Sequence, residues 1–326
     1  MNPRTKGKVF PFSVTLLSIL FWVATSQGLA QSNQAATYAI RSSVDLVVLR
    51  ATVRDHKGGP VSELAKENFQ VFEDKVPQQI ETFSHEDVPV TIGLVIDNSG
   101  SMRSKHSDVV AAAMAFVRSS NPADQVFVVN FNEHVSMGLP ANLPFTNNSA
   151  QLETALSRNV LSGMTALYDA IARGIEQLQK GKWDKKVLIV VSDGGDNASN
   201  RKLAQVLSMV NQSNAVIYTL GIYDVTDQDR NPRVLKELSR ASGGEAFFPN
   251  TLGDILPICE QIAHDIRSQY TITFVPTNKS QDGRYRAIEV KAHEPSRGGR
   301  LSVNTRAGYT APPNLHSSDY VSDTRP

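Results

Sequence analysis

The chain has 326 residues, of which 20% are charged and 40% hydrophobic, with 20 Gly and 16 Pro. That suffices for one large domain or two ordinary ones, and it is too apolar for a disordered chain and too mixed for a collagen-like one. Lys and Arg number 33 against 32 Asp and Glu, a formal net charge of +1, so no bulk basic field points to nucleic acid; the single cysteine, Cys259, excludes an intrachain disulfide and a cysteine-built zinc cage.

The first thirty residues account for the +1. Arg4, Lys6 and Lys8 precede an apolar run from Val9 to Ala24, and Gly28-Leu29-Ala30 closes the stretch. A basic start, an apolar core of roughly 15 residues and a small-x-Ala ending describe a secretory signal peptide over 1–30. The run is short for a spanning helix, which needs about 20 residues, so an uncleaved signal is the membrane tether the sequence offers. Cleavage after Ala30 removes three basic residues and no acid, leaving 30 basic against 32 acidic residues, a net charge of −2. The expectation is an exported protein, secreted or held in the periplasm or cell envelope.

Residues 31–87 read as an N-terminal β segment: a β-branched run over 44–54, turn chemistry at 55–60, then short strands at 69–72 and 79–83. From Val88 the texture changes. Buried strands over 90–97, 124–131, 185–193 and 215–222 alternate with amphipathic helices over 104–118, 149–157, 166–178, 203–211, 234–241 and 252–267. Short strands over 135–139, at the edge, and 245–248 complete the unit. Strands alternating with helices imply a mostly parallel sheet covered on both faces, an α/β unit over 88–267. Residues 268–310 return to β texture, with strands over 270–275, 286–291 and 301–305, and the Pro/Ser/Asp-rich tail over 311–326 is expected to be disordered. Neither β flank buries much alone, and the expectation is that 268–310 pairs with 38–85 into a small β-sandwich of about six strands.

The chemistry concentrates at Asp97-Asn98-Ser99-Gly100-Ser101, directly after a buried strand. In an open α/β sheet, ligands sit at the carboxyl ends of strands. Asp97, Ser99 and Ser101 place one carboxylate and two hydroxyls on such a loop. A further oxygen donor is expected at the same rim, and two residues fit: Thr165, which opens a helix, and Asp193, which ends a strand as Asp97 does. All five are hard oxygen donors, a set that selects Mg²⁺, Mn²⁺ or Ca²⁺ over zinc or copper. Two carboxylates nearly neutralise a divalent ion, and a site open at the rim then draws an anionic oxygen from outside. The bland reading of each residue is a helix cap or a turn; five such donors at matching rims are harder to explain that way.

These residues clearly resemble the von Willebrand factor type A family. Asp-x-Ser-x-Ser at 97–101, the Thr165 loop and Asp193-Gly194 match that family's metal-ion-dependent adhesion site, in the family's order, and the likeness covers roughly residues 88–267. The flanks, Phe69-x-Val-x-Glu-Asp and Gly308-Tyr309, are similar to a group of exported bacterial proteins with a type A-related domain. The resemblance implies a Rossmann-like, doubly wound sheet in which Asp97, Ser99 and Ser101 bind metal directly, and Thr165 and Asp193 bind directly or through water. Mg²⁺ is the expected ion, with Mn²⁺ and Ca²⁺ as alternatives. The partner implied is a protein presenting an Asp or Glu carboxylate.

The resulting expectation is an exported, non-enzymatic adhesion module. Two other functions compete with it. A metal-free structural module of an envelope assembly would show no saturable divalent-cation binding. A metal-dependent hydrolase needs a nucleophile, and Ser192 in Val191-Ser192-Asp193-Gly194 is the nearest approach, without the first Gly of a nucleophile elbow. Asp196 and Asn197 read as loop or cap residues, the acidic stretch 224–229 as a solvated turn, Cys259 as a buried helix residue and His264 as a surface residue.

Overall fold

The computed structural model describes residues 46–157, 160–223, 230–293 and 301–313. The expected signal peptide at 1–30, the acidic stretch 224–229 and residues 314–326 lie outside the described residues. Ala311, read from sequence as the start of the tail, is packed in: it is buried and its N–H donates to Arg284 O at 2.9 Å.

Four strands come first: β1 (Val47–Arg54), β2 (Phe69–Glu73), β3 (Val76–Gln78) and β4 (Ile80–Ser84). Asp74 and Lys75, with φ of 47° and 70°, make the two-residue turn between β2 and β3. Positive φ at both central residues is the twist a tight hairpin demands. The α/β unit follows, with β5 (Val90–Asp97), α1 (His106–Ser119), β6 (Gln125–Phe131), β7 (Val135–Met137), α2 (Ser149–Ser157), α3 (Leu167–Leu178) and β8 (Lys185–Ser192). It closes with α4 (Leu203–Gln212), β9 (Ala215–Gly221), α5 (Pro232–Ser242), β10 (Ala246–Phe247) and α6 (Ile255–Arg267). The chain returns to strands in β11 (Tyr270–Phe274), β12 (Tyr285–Ala292), β13 (Ser302–Asn304) and β14 (Gly308–Thr310).

The central sheet runs β10-β9-β8-β5-β6-β7, parallel throughout except for the antiparallel edge strand β7. Every residue of β5 and β9 is buried, as a sheet covered on both faces requires. One layer packs α1 against α2 and α6, and the other packs α4 against α3 and α5. The mostly parallel sheet covered on both faces expected from the alternation is present, and it is of the doubly wound, Rossmann-like class that the resemblance implies. A 3₁₀ turn over Gly100–Met102 precedes α1, and a second over Leu252–Asp254 takes the first turn expected of α6, which therefore starts later than its apolar periodicity suggests. Pro232 at the first position of α5 and the Asn231 side chain accepting from Val234 N set that helix start two residues earlier than its apolar pattern.

The remaining strands form two four-stranded antiparallel sheets, ordered β13-β1-β11-β4 and β14-β12-β2-β3. β11 lies between β1 and β4, and β12 lies between β2 and β14. Leu49, Tyr270, Ile272 and Phe274 from one sheet and Phe69, Val71 and Val290 from the other share a single core. The sandwich therefore has eight strands where the sequence suggests about six. The additional two, β3 and β14, are three residues each, too short to carry an alternation pattern. Tyr309 on β14 donates to Glu73 Oε2 at 2.8 Å, and Arg286, almost fully buried, lies 3.5 Å from Glu73 Oε1. The two flank motifs noted in the sequence thus meet in one buried polar cluster.

Arg54, on β1, joins the sandwich to the α/β unit: its Nη2 lies 2.5 Å from Asp265 on α6 and 3.1 Å from Glu245. A second seam runs through Gly243, which ends α5 with φ +83°. A Cβ there would sit 2.3 Å from Arg306 N, so only glycine lets that segment approach.

Gly93 at the centre of β5 pairs with Phe127 on one side and Leu188 on the other. A Cβ on Gly93 would lie 2.4 Å from Phe127 Cζ and 2.6 Å from Leu188 Cδ1. Gly93→Ala is expected to destabilise the protein by about 1–3 kcal/mol through overpacking, read as a lowered urea midpoint with an unchanged slope.

Candidate functional site

The site lies at the carboxyl ends of β5 and β8. Ile96 registers with Val191 across this parallel pair, so Asp97 and Asp193 leave neighbouring strands at the same rim. Both aspartates are buried, at 0% and 3% exposure. Each is held in the same way. Asp97 Oδ1 accepts from Ser99 N at 2.9 Å and its Oδ2 from Ser192 Oγ at 2.6 Å. Asp193 Oδ1 accepts from Gly195 N at 2.9 Å and its Oδ2 from Ser101 Oγ at 2.6 Å. An aspartate bonding the backbone N–H two residues on is the Asx-turn habit of the side chain. Ser99 Oγ, 3.2 Å from Ser101 Oγ, completes a continuous line from Asp97 to Asp193.

Three loops are stitched together around that line. Gly100 N donates to Gly163 O at 3.3 Å and Ser162 N to Asn98 O at 3.1 Å, which fastens the Asp97 loop to the Thr165 loop. The Thr165 loop is fastened in turn to the Asp193 loop. Thr165 N donates to Asn197 Oδ1 at 2.8 Å, and Thr165 O accepts from Asn197 N at 3.0 Å and Ala198 N at 3.1 Å. Arg103 secures the outer edge, with Nε and Nη2 both on Leu161 O.

The structure brings Asp97, Ser99, Ser101 and Asp193 into one hydrogen-bonded group and sets buried Thr165 on the adjoining loop, joined through its backbone. The capping explanation for these hydroxyls is not what the structure contains. α1 starts after Lys105 and α3 after Ala166, and neither has a side-chain cap hydrogen bond. The N-terminus of α3 is served instead by Asp196, whose Oδ1 accepts from Tyr168 N at 3.1 Å. Asp196 and Asn197 thus act as a cap and a loop tie. Cys259 is buried and His264 exposed.

Ser192 is a residue whose role sequence reasoning did not find. It is fully buried, and its hydroxyl is committed to Asp97, so it positions a carboxylate and is closed to a substrate. Its signal lay in its place just before Asp193, at the end of a strand beside β5. Asn98 was also passed over; its amide is buried and donates to Asn130 Oδ1 at 3.2 Å.

The donor chemistry fits a divalent cation. A carboxylate accepts at about four lone-pair positions and a hydroxyl at two, so two hydrogen bonds per aspartate leave capacity on both. Ser101 gives its proton to Asp193 and accepts from Ser99 Oγ, which leaves one oxygen lone pair available to a cation. Among the described residues no three His, Cys, Asp or Glu side chains gather to hold a metal; at this rim the carboxylates are two and the remaining donors are hydroxyls.

Burial pushes the Asp97 carboxyl up to about 6; hydrogen bonds from Ser192 and Ser99 oppose the shift and the negative charge of Asp193 adds to it. An acid raised in the fold keeps a proton that the unfolded chain has already released. Stability is therefore greatest at low pH within this window and falls as pH rises from about 4 to about 6, where the folded group also ionises. In chelator, Asp97 is expected to contribute a fall on the order of 3 kcal/mol across that window. Thermal unfolding against pH checks it, and Asp97→Asn is expected to remove this component of the slope.

The family model for the von Willebrand factor type A domain matches residues 91–257. A Synechocystis sp. protein, sll0103, is 26% identical over 181 residues, 54% of this chain and 41% of that protein; the match thus spans about two-fifths of the relative's length. A von Willebrand factor type A structure from Catenulispora acidiphila superimposes with a TM-score of 0.50 at 14% identity, covering 83% of this chain and 75% of that one. Proximal thread matrix protein 1 from the mussel byssus, solved with zinc in its adhesion-site motif, is 16% identical with a TM-score of 0.46, over 56% of this chain and 50% of that one. Domains of this family are typically non-enzymatic protein-interaction modules and commonly bind a divalent cation. With half of its length matched by the family model and its central sheet in the same fold, the chain belongs to the von Willebrand factor type A domain family.

Proposed function

We propose that this protein is an exported adhesion module that captures a protein partner through a divalent cation. Asp97, Ser99, Ser101, Thr165 and Asp193 hold the cation, Mg²⁺ by preference, and it bridges to an Asp or Glu carboxylate of the partner. The observation that carries the reading is the line of oxygens from Asp97 through Ser99 and Ser101 to Asp193, with two buried carboxylates at one rim. Two desolvated like charges side by side are costly without a counter-charge, and a divalent ion supplies it with the oxygen ligands it prefers. Ser101, the exposed member of the line between Ser99 and Asp193, leaves the site open to a ligand from outside.

Export rests on the basic, apolar and small-residue pattern of 1–30. Among the described residues no helix is long and apolar enough to cross a membrane. The enzyme alternative is weakened by Ser192, since a fully buried hydroxyl bonded to Asp97 is not placed to attack a substrate.

Calorimetric titration with Mg²⁺ and Mn²⁺ tests the metal. Saturable binding is expected for the wild type and is expected to be lost in Asp97→Ala and Ser99→Ala, with far-UV circular dichroism unchanged. Capture of a partner from the native envelope is expected to disappear with chelator and to return with added Mg²⁺. Partner binding that survives both chelation and Asp97→Ala overturns the mechanism.

A further inference from the structure

A groove opens where α4 and α5 meet the β-sandwich. Its volume is about 480 Å³, and its walls are Leu207 and Asn211 of α4, Arg233, Lys236 and Arg240 of α5, and Tyr285 of β12. Val234, Leu235 and Leu238 bury the inner face of α5. Arg233, Lys236 and Arg240 are exposed and recur at i, i+3 and i+7, the spacing of one helix face. Tyr285 is 49% exposed, and its ring lies against the backbone of Gly308, where a Cβ would come within 2.4 Å of the ring Cζ.

The charge of this groove is not balanced from within. Among the described residues Glu237 is the one carboxylate in its lining, and Arg233 and Arg240 form no hydrogen bond or ion pair. Elsewhere on the surface Arg201 reaches Asp169 at 2.9 Å and Arg267 reaches Asp87 at 2.8 Å. Lys236 sits over the Phe248 ring, its Nζ 5.1 Å from the centroid, an arrangement that leaves the ammonium charged. Behind the wall, buried Arg306 bonds Gly308 O, Asn211 O and Asn214 Oδ1, all neutral acceptors. Burial raises the Tyr285 hydroxyl above its ordinary value, and the positive charges of Arg306 and Arg240 pull against that shift, which places both cations near its ring.

Shape and charge together select the ligand. A concave groove with an aromatic wall and apolar Leu207 and Ala241 accepts side chains, which a flat anionic membrane surface does not offer. Glu237 among the cations opposes a continuous polyanion. Arginine and tyrosine are the side chains that concentrate at the energetic centres of protein interfaces. Arg233 and Arg240 stand about 10 Å apart along the helix axis, the span of about three residues of an extended chain.

We propose that this groove docks an extended acidic segment of a protein partner. Two carboxylates about three residues apart meet Arg233 and Arg240, and an apolar side chain between them packs on Tyr285. The groove shares no residue with the rim of Asp97 and Asp193, so the proposal does not rest on the metal-bridged reading.

The test uses the full-length protein in chelator, followed by ¹⁵N NMR, with the blocked peptide acetyl-Asp-Leu-Ala-Asp-amide as probe. Saturable shifts are expected at the α5 amides and at Tyr285, weakening as salt is raised. The uncharged peptide acetyl-Asn-Leu-Ala-Asn-amide is expected to give none. Arg233→Glu and Arg240→Glu change exposed positions and are expected to leave the circular dichroism intact. Each is expected to weaken the acidic peptide about fivefold or more, the loss of one exposed ion pair. Absence of a saturable shift in the wild type, undiminished binding in either variant, or equal binding of the uncharged peptide overturns the proposal. So does tighter binding at the same residues by inorganic phosphate, by an oligonucleotide, or by phosphatidylserine-containing vesicles, each of which would assign the groove to that ligand instead.

Discussion

The register of β5 between β6 and β8 is the constraint on which the rest depends. Gly93 is paired with Phe127 and Leu188, and the space a side chain would take there is filled by theirs. That packing fixes how far β5 advances along its neighbours. A slip of one residue would turn every side chain to the opposite face, and Asp97 would no longer meet Ser192. The hydrogen bond between them at 2.6 Å is thus a readout of strand register as well as part of the site. Ligand-binding residues at the carboxyl ends of a parallel sheet inherit their precision from strands that cannot move.

The β-sandwich is tied to this sheet at two kinds of seam. Arg54 brings a charged link from β1 to α6 and to Glu245. Close backbone approach provides the other, where the Thr305–Arg306 segment rests on Gly243 and Arg306 Nη2 donates to Asn211 O at 2.5 Å. Asp265 is buried at this seam, and burial raises its carboxyl to about 6 while Arg54 opposes the shift. The α6 helix leads directly into β11, the strand enclosed by β1 and β4. Helix α6 is therefore held at its carboxyl end by the sandwich and along its length by α1, so it cannot shift without disturbing one of those contacts.

Much of the fold was legible in the sequence because its strands are continuous apolar runs and its helices carry clear 3.6-residue periodicity. Val90–Asp97 and Lys185–Ser192 could be placed to within a residue. The short strands β3 and β14 were not read: each is three residues, beside the Asp74-Lys75 turn or at the start of the expected tail, and pairs at a sheet edge with β2 or β12. The 3₁₀ turn at Leu252–Asp254 was read as helix for a related reason: apolar spacing continues through it, while the α-helical backbone hydrogen bonds do not. At the candidate site, Asp97, Ser99, Ser101, Thr165 and Asp193 were read as candidate donors from residue type, from their places at strand ends and a helix start, and from the family resemblance. Ser192 and Asn98 were not, because their roles consist of what they touch across strands more than ninety and thirty residues away.

By itself, the sequence determined the alternation of buried strands and amphipathic helices, hence the class of sheet, and the supply of hard oxygen donors at strand ends. Those are local properties, set by side-chain chemistry and by short-range periodicity. Only the tertiary structure decided which donors face one another, that each aspartate is gripped by a serine and a backbone amide, and that the Asn98 amide turns to Asn130. These are consequences of long-range register and of hydrogen-bond bookkeeping across loops, and no stretch of chain carries either one alone.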